Sequence, residues 1–301
     1  MSQPGVFVGT RQGLFRLQNG KPERLAEGDF TALVREGSQW WAVLGGHELK
    51  RSDDGVRWSH AGKLEGPRLM ALLPTAAGLL VGTSGSHLYV LQEGKLAALS
   101  SFDRAPGRDD WSNPASSQPD VHSLSQAPSG ALFVNVHVGG ILRSEDEGKS
   151  WTPTIDVAAD VHQVLFDAGS KRLLAAAARG FCVSDDQGQH WEFETRGLHA
   201  SYLRALAVAG DTVLVTASTG PFTRSAAVYR KPVRGHAPFE RCEQGLPRSF
   251  PENINAHLLA ASGSAVAFGT SSGHLYLSLD EGARWSLMTE ELPAIQCVVL
   301  A

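Results

Sequence analysis

Three copies of one eight-residue turn constrain this chain more than any other feature. They read Ser144-Glu145-Asp146-Glu147-Gly148-Lys149-Ser150-Trp151, Ser184-Asp185-Asp186-Gln187-Gly188-Gln189-His190-Trp191 and Ser278-Leu279-Asp280-Glu281-Gly282-Ala283-Arg284-Trp285. The shared pattern is Ser-x-Asp-x-Gly-x-x-Trp. A fourth copy is read over residues 51–58, with Asp53, Gly55 and Trp58 in place and Arg51 at the serine position. Each element has a physical task. The aspartate accepts hydrogen bonds from N–H groups of its own turn. The glycine supplies a positive φ. The tryptophan covers the hairpin with a large apolar ring. The motif therefore reads as a hairpin staple, not as a catalytic group.

Spacing turns the motif into a fold. Asp53, Asp146, Asp186 and Asp280 lie 93, 40 and 94 residues apart. A period near 40 with two motif-less units fits these gaps, and such a period marks a propeller or related array. One motif-less unit contains 78–83 and 88–91 with a turn at Glu93-Gly94. The other contains 212–216 and 227–230, with Phe239 at the tryptophan position. A further unit opens the chain with 6–10 and 14–17, then turns at Asn19-Gly20, a type I′ hairpin signal. An additional apolar strand precedes every unit but the first: 31–34, 70–73, 122–125, 162–165, 204–207 and 257–260. The chain ends on an orphan of the same type, 296–300. The expected fold is all-β: a seven-bladed β-propeller over residues 1–301 as one domain. Its C-terminal strand joins the N-terminal blade, closing the ring and removing exposed sheet edges.

On these turns the chain resembles Asp-box (BNR) repeat proteins: sialidases, sortilin-type receptors, xyloglucan hydrolases, photosystem assembly factors and, end to end, small bacterial sialidase-like or glycosyl-hydrolase-like propellers. The resemblance implies the fold and leaves the activity open. Sialidase chemistry would require an arginine triad, a Tyr–Glu nucleophile pair, an acidic Asp and an Arg-Ile-Pro element. Arg-Ile-Pro is missing, and Pro67-Arg68-Leu69 does not replace it. Tyr89, Tyr229 and Tyr276 fall on outer strands, and Tyr202, near a loop, has no glutamate obviously paired with it. The xyloglucan hydrolases resemble two propellers clasping a chain, whereas one is read here.

A net charge of -4 argues against a nucleic-acid partner. No apolar run approaches the roughly 18 residues of a membrane helix, and residues 1–8 lack a basic-then-apolar leader pattern. Cys182, Cys242 and Cys297 are odd in number and lack metal-like spacing, so they are expected as reduced core thiols in a cytoplasmic protein. The chain is expected to be a monomer.

A propeller's ligand face carries the loops entering each inner strand and those between second and third strands. The first residues of the inner strands align as Thr31, Met70, His122, His162, Arg204, His257 and Gln296. Three histidines and an arginine at one equivalent position mark this rim as the candidate site. Asp120 and Asp160 stand two residues before His122 and His162, placed to orient an imidazole. The second-to-third-strand turns add Arg11, His137 and Arg179. Inner-strand spacing of 39 to 42 residues stretches to 52 and 53 at two loops. Loop 103–119 holds Asp109, Asp110, Trp111 and Asn113, and loop 245–253 holds Arg248, Phe250 and Glu252. Long rim loops often carry function.

Three readings stay open. The histidines are channel structure, or His122, His137, His162 and His257 hold a divalent metal of unassigned identity. Alternatively, Arg204, Arg179, Arg11 and Gln296 bind an anionic or glycan-like ligand, with Trp111 as a stacking surface. In an enzyme, His122 or His162 would be metal ligand or general base, and Arg204 an anion clamp. Asp109 and Glu252 would be an acid–base pair, which needs a separation of about 5 Å, or about 6.5–9.5 Å with inversion. The class would be hydrolase or lyase. The alternative function is a non-catalytic protein-interaction scaffold.

Overall fold

The computed structural model describes residues 4–18, 20–112 and 118–301. Asn19 of the first expected turn, Asn113 of the long loop and residues 1–3 lie outside them. Seven four-stranded sheets form a seven-bladed β-propeller. The inner strands of blades two to seven are Phe30–Glu36, Leu69–Thr75, Val121–Gln126, Val161–Asp167, Tyr202–Ala209 and Leu259–Ser262. The inner strand of blade one is the C-terminal Ile295–Leu300, which pairs antiparallel with Val6–Thr10. Val6 faces Leu300 and Val8 faces Val298, as the orphan strand predicted.

The chain divides into two compact units. The first comprises Met1–Gly46, Lys50–Ser59 and Thr195–Ala301, the second His47–Leu49 and His60–Glu194. The core of the first unit gathers aromatic rings around Phe268, which is fully buried. The second has one cluster of Ala175, Ala177, Val161 and Val164 with Phe133, and another around Phe102, Trp111 and Trp151. Alternation along a strand sends side chains to both faces of a blade. A strand apolar on both faces, such as Ala265–Gly269, is buried at every residue.

The repeated turn works through its serine as well as its aspartate. Ser144 Oγ donates to Asp146 Oδ1 at 2.8 Å and accepts from Gly148 N–H at 2.8 Å. Asp146 Oδ1 accepts from Ser150 N–H at 2.8 Å. Glu147 and Gly148 take φ of 60° and 85°, so two successive residues are left-handed, and glycine fills the second. Ser184 and Ser278 repeat this pattern.

Blade two corrects the sequence alignment. There Ser52, not Arg51, bonds Asp54 Oδ1 and receives Gly55 N–H, and Asp54, not Asp53, receives Arg57 N–H. Its turn is one residue shorter, because Gly55 follows Ser52 by three positions rather than four.

The turn aspartates predict an acid limit to stability. Hydrogen bonds from the Ser150 hydroxyl and N–H hold the Asp146 carboxyl at about 2. Backbone N–H donation, from Arg57 and His190 respectively, holds Asp54 and Asp186 well below the usual carboxylate range. A depressed folded pKa stabilises fully above the unfolded value near 3.8 and is lost as pH falls through the folded one. Stability against urea is therefore expected to fall from about pH 4 towards pH 2. Asp146→Asn should flatten that slope, and an unchanged slope in the variant would remove Asp146 from the explanation.

Candidate functional site

The aligned rim residues share a backbone device that the sequence did not reveal. Six inner strands carry a β-bulge near their start, at the second residue or, in Tyr202–Ala209, the third. In blade four, Val121 and Ser123 face consecutive residues Val136 and Asn135, so the register skips His122. The register likewise skips His162, Arg204, Met70, Thr31 and Gln296. A bulge bends the strand and re-aims the extra side chain. His257 is the exception and a correction to the alignment. It lies in a 3-10 turn, Ala256–Leu258, before its strand begins at Leu259. The turn forms because Leu258 N–H bonds Asn255 O at 2.8 Å, while the Ile254 carbonyl is held by Thr216 Oγ at 2.8 Å.

In the second unit the bulges and a turn bring three imidazoles together. His137 begins the turn between the second and third strands of blade four, and its N–H donates to Asp120 O at 2.9 Å. His122 stacks on His137, with ring centroids 4.7 Å apart and 17° between planes. The His162 ring lies 5.4 Å from His137. Asp160 sits between them. Its Oδ1 is 3.4 Å from His137 Nε2 and 3.6 Å from His162 Nε2. Asp160 reaches that place by a left-handed backbone, φ 51° and ψ 70°, after a one-turn 3-10 helix. Aspartate is among the few residues that tolerate this region. Sequence spacing assigns Asp160 to His162 alone; the structure has it bridging two blades. Asp120 lies nearby, and burial raises its pKa while the N–H of Gly85 and the charge of His137 pull it down.

In the first unit a cavity of about 530 Å³ is lined by Arg204, Arg224, Glu252, Asn253, Asn255 and Phe222, among others. Arg204 is positioned by Asn255, whose Oδ1 accepts from Nε at 2.8 Å, and by the Tyr202 hydroxyl, 3.3 Å from Nη1. Glu252 Oε1 accepts from both N–H and hydroxyl of Ser272 at 3.3 Å. The sequence reading missed Phe222, Arg224 and the two groups that hold Arg204. The signal was present in the long polar stretch 218–225 between the second and third strands of blade six.

The other expected residues go elsewhere. Trp111 is not a stacking surface. It is 8% exposed in the core, beside Phe102, with the Arg108 guanidinium 4.9 Å over its ring. Arg179 stacks on Phe193 at 5.1 Å. Gln296 donates to Asp29 Oδ1 and to Phe30 O, at 2.5 and 3.2 Å. Arg11 is exposed on its turn. Asp109 and Asp110 are exposed on the one-turn helix Arg108–Asp110, in the second unit, whereas Glu252 belongs to the first. Phe250 is buried against Phe268 and Tyr276, and Arg248 accepts from Arg241 through its carbonyl at 3.3 Å.

Sheets, closure and rim clusters together define a β-propeller. The chain belongs to the DUF6242 beta propeller domain family, whose profile matches residues 83–295. No curated protein matches it. Among solved structures it is similar to a protein from Lactobacillus plantarum, 14% identical, with a TM-score of 0.68 and full coverage of both chains. It is similar to YCF48 bound to D1 peptide, 15% identical, TM-score 0.56, covering 86% of this chain and 81% of that one. It also resembles an ancestral GH74 enzyme, 12% identical, TM-score 0.63, covering 100% of this chain and 40% of that one. At such identities the likeness concerns the fold.

Proposed function

We propose that this propeller is a binding protein whose first-unit cavity takes an anionic, glycan-like small ligand. The observation that carries the reading is the pairing of Arg204 and Arg224 against one carboxylate, Glu252, around about 530 Å³. That volume is in the range of small-molecule sites. A guanidinium carries five N–H donors and suits carboxylates in a two-pronged contact. Asn255 and Tyr202 fix Arg204 beforehand, which lowers the entropic cost of binding. Asn253, Asn255 and Ser271 add polar groups able to meet hydroxyls. The Ser-x-Asp-x-Gly-x-x-Trp turns support a place among Asp-box (BNR), sialidase-like propellers, and the three buried free thiols support a cytoplasmic setting.

A second reading, the interaction scaffold, is favoured by one residue. Phe222 is 92% exposed at the cavity rim, an apolar anchor suited to a peptide. The similar fold of YCF48 bound to D1 peptide supports it.

The two readings separate by experiment. Uronic and sialic acids and acidic disaccharides are screened for a rise in melting temperature. A hit is expected to weaken about tenfold or more in Arg204→Ala and little in Phe222→Ala. Arg204→Lys should restore it only in part, because a point charge cannot reproduce the fork. A panel without hits, or binding indifferent to Arg204, would sink the anion reading. Loss of a peptide ligand on Phe222→Ala would replace it with the scaffold.

A further inference from the structure

From the second unit, independently of the Arg204 cavity, we infer that His137, Asp160 and His162 form a binding site for a divalent first-row transition metal, zinc or iron(II) above all. Their donor atoms all lie within 4.8 Å of one another. Two edges of the triangle are known closely: 3.4 Å from His137 Nε2 to Asp160 Oδ1, and 3.6 Å from His162 Nε2 to Asp160 Oδ1. Four donors at about 2.0–2.1 Å around a tetrahedral ion stand roughly 3.3 Å apart. Those two edges already have that length to within a few tenths of an ångström. The third edge, between the His137 and His162 donor atoms, also lies within 4.8 Å.

The donor set has a chemistry of its own. Two imidazoles and one carboxylate suit zinc with an open fourth position, and equally iron(II) in an octahedral shell. Calcium and magnesium, which prefer all-oxygen shells, fit poorly. The scaffold holds each donor differently. His162 is aimed by the blade-five bulge and its side chain is 1% exposed. Asp160 is fixed in the left-handed region. His137 is fixed by the bond from its N–H to Asp120 and by the His122 ring stacked on it. Its Nδ1 is buried with no hydrogen-bond partner among the described residues. Such an orphan is uncommon, and it leaves this nitrogen as well open to a metal or its water. Asp160 is 27% exposed and His137 12%, so an ion can enter from the rim. His122 serves as a positioning residue: it packs on a ligand and is not counted among the three.

The test uses the full chain, stripped with a chelator and titrated with cobalt(II), zinc, nickel and manganese. One equivalent of cobalt is expected to bind with a visible ligand-field spectrum, and zinc to displace it. Protons are released on binding, and affinity falls as the imidazoles protonate on acidification. Asp160→Asn keeps both shape and left-handed tolerance and should weaken binding on the order of tenfold or more. His137→Gln, on a turn rather than in a strand, should do the same, so neither result depends on His162→Ala, which opens a core position. His122→Ala should change affinity less and alter the spectrum. Two outcomes overturn the site: failure of all four metals to bind, or binding unchanged in Asp160→Asn and His137→Gln with native circular dichroism.

Discussion

A chain truncated after Ala294 is expected to lose cooperative folding altogether. The removed strand, Ile295–Leu300, is the innermost strand of blade one. It buries Ile295, Cys297, Val298 and Leu300 to 9% exposure or less. Burying an aliphatic side chain of this size contributes about 1.5–3 kcal/mol. Together these residues reach the order of 10 kcal/mol, the size of a whole domain's stability. The loss is also topological. Val6–Thr10 keeps its pairing with Gly13–Gln18 but forfeits its register with 295–300. An apolar strand edge is then exposed, and such edges pair with other chains. The truncated protein should be insoluble or melt without a cooperative transition, and a synthetic peptide of residues 290–301 should partly restore the transition. A truncated chain that melts cooperatively within a few degrees of the full length would show that the strand is an accessory.

The inner strands were legible because blades sandwiched between neighbours need strands apolar on both sides, and the closing strand was legible because one was left over. Blade two was misaligned because Ser52-Asp53-Asp54-Gly55 offers two aspartates, and only the hydrogen bonds distinguish them. Close approaches between blades were invisible. A Cβ on Gly82 would collide with the Val121 side chain, and one on Gly269 with that of Ile295. Those partners come from the next blade, which sequence order does not reveal. For the candidate site, alignment brought out His122, His162 and His257 and the turns His137; the rings of His122 and His162 both pack against His137. The place of Asp160 was hidden because it depends on a left-handed φ and a bulge. Trp111 misled because it stands beside Asp109 and Asp110 in a long rim loop, whereas Phe102 and Arg108 enclose its ring.

Phe268→Ala should be the costliest single substitution in the first unit, at about 3–5 kcal/mol. Phe268 is fully buried and sits where three other rings converge. Phe250 meets it edge-on at 5.4 Å, Tyr276 stacks on it at 4.9 Å, and Trp285 meets it edge-on at 5.1 Å. Such aromatic pairs add to area burial, and rings anchored on three different segments cannot collapse together into the cavity. The consequence reaches the proposed pocket. Phe250 exchanges two backbone hydrogen bonds with Ala226, at 2.8 and 2.9 Å, which ties the rim segment carrying Glu252, Asn253 and Asn255 to the third strand of blade six. Loosening Phe250 frees that segment, so local opening should rise more than global unfolding requires. Urea titration should show the stability loss, and limited proteolysis should cut first within 245–255. Phe268→Leu, which fills part of the space, should lose less and resist the protease longer. A loss of about 1 kcal/mol or less in the alanine variant, with no new cleavage there, would mean that the cluster does not hold the rim.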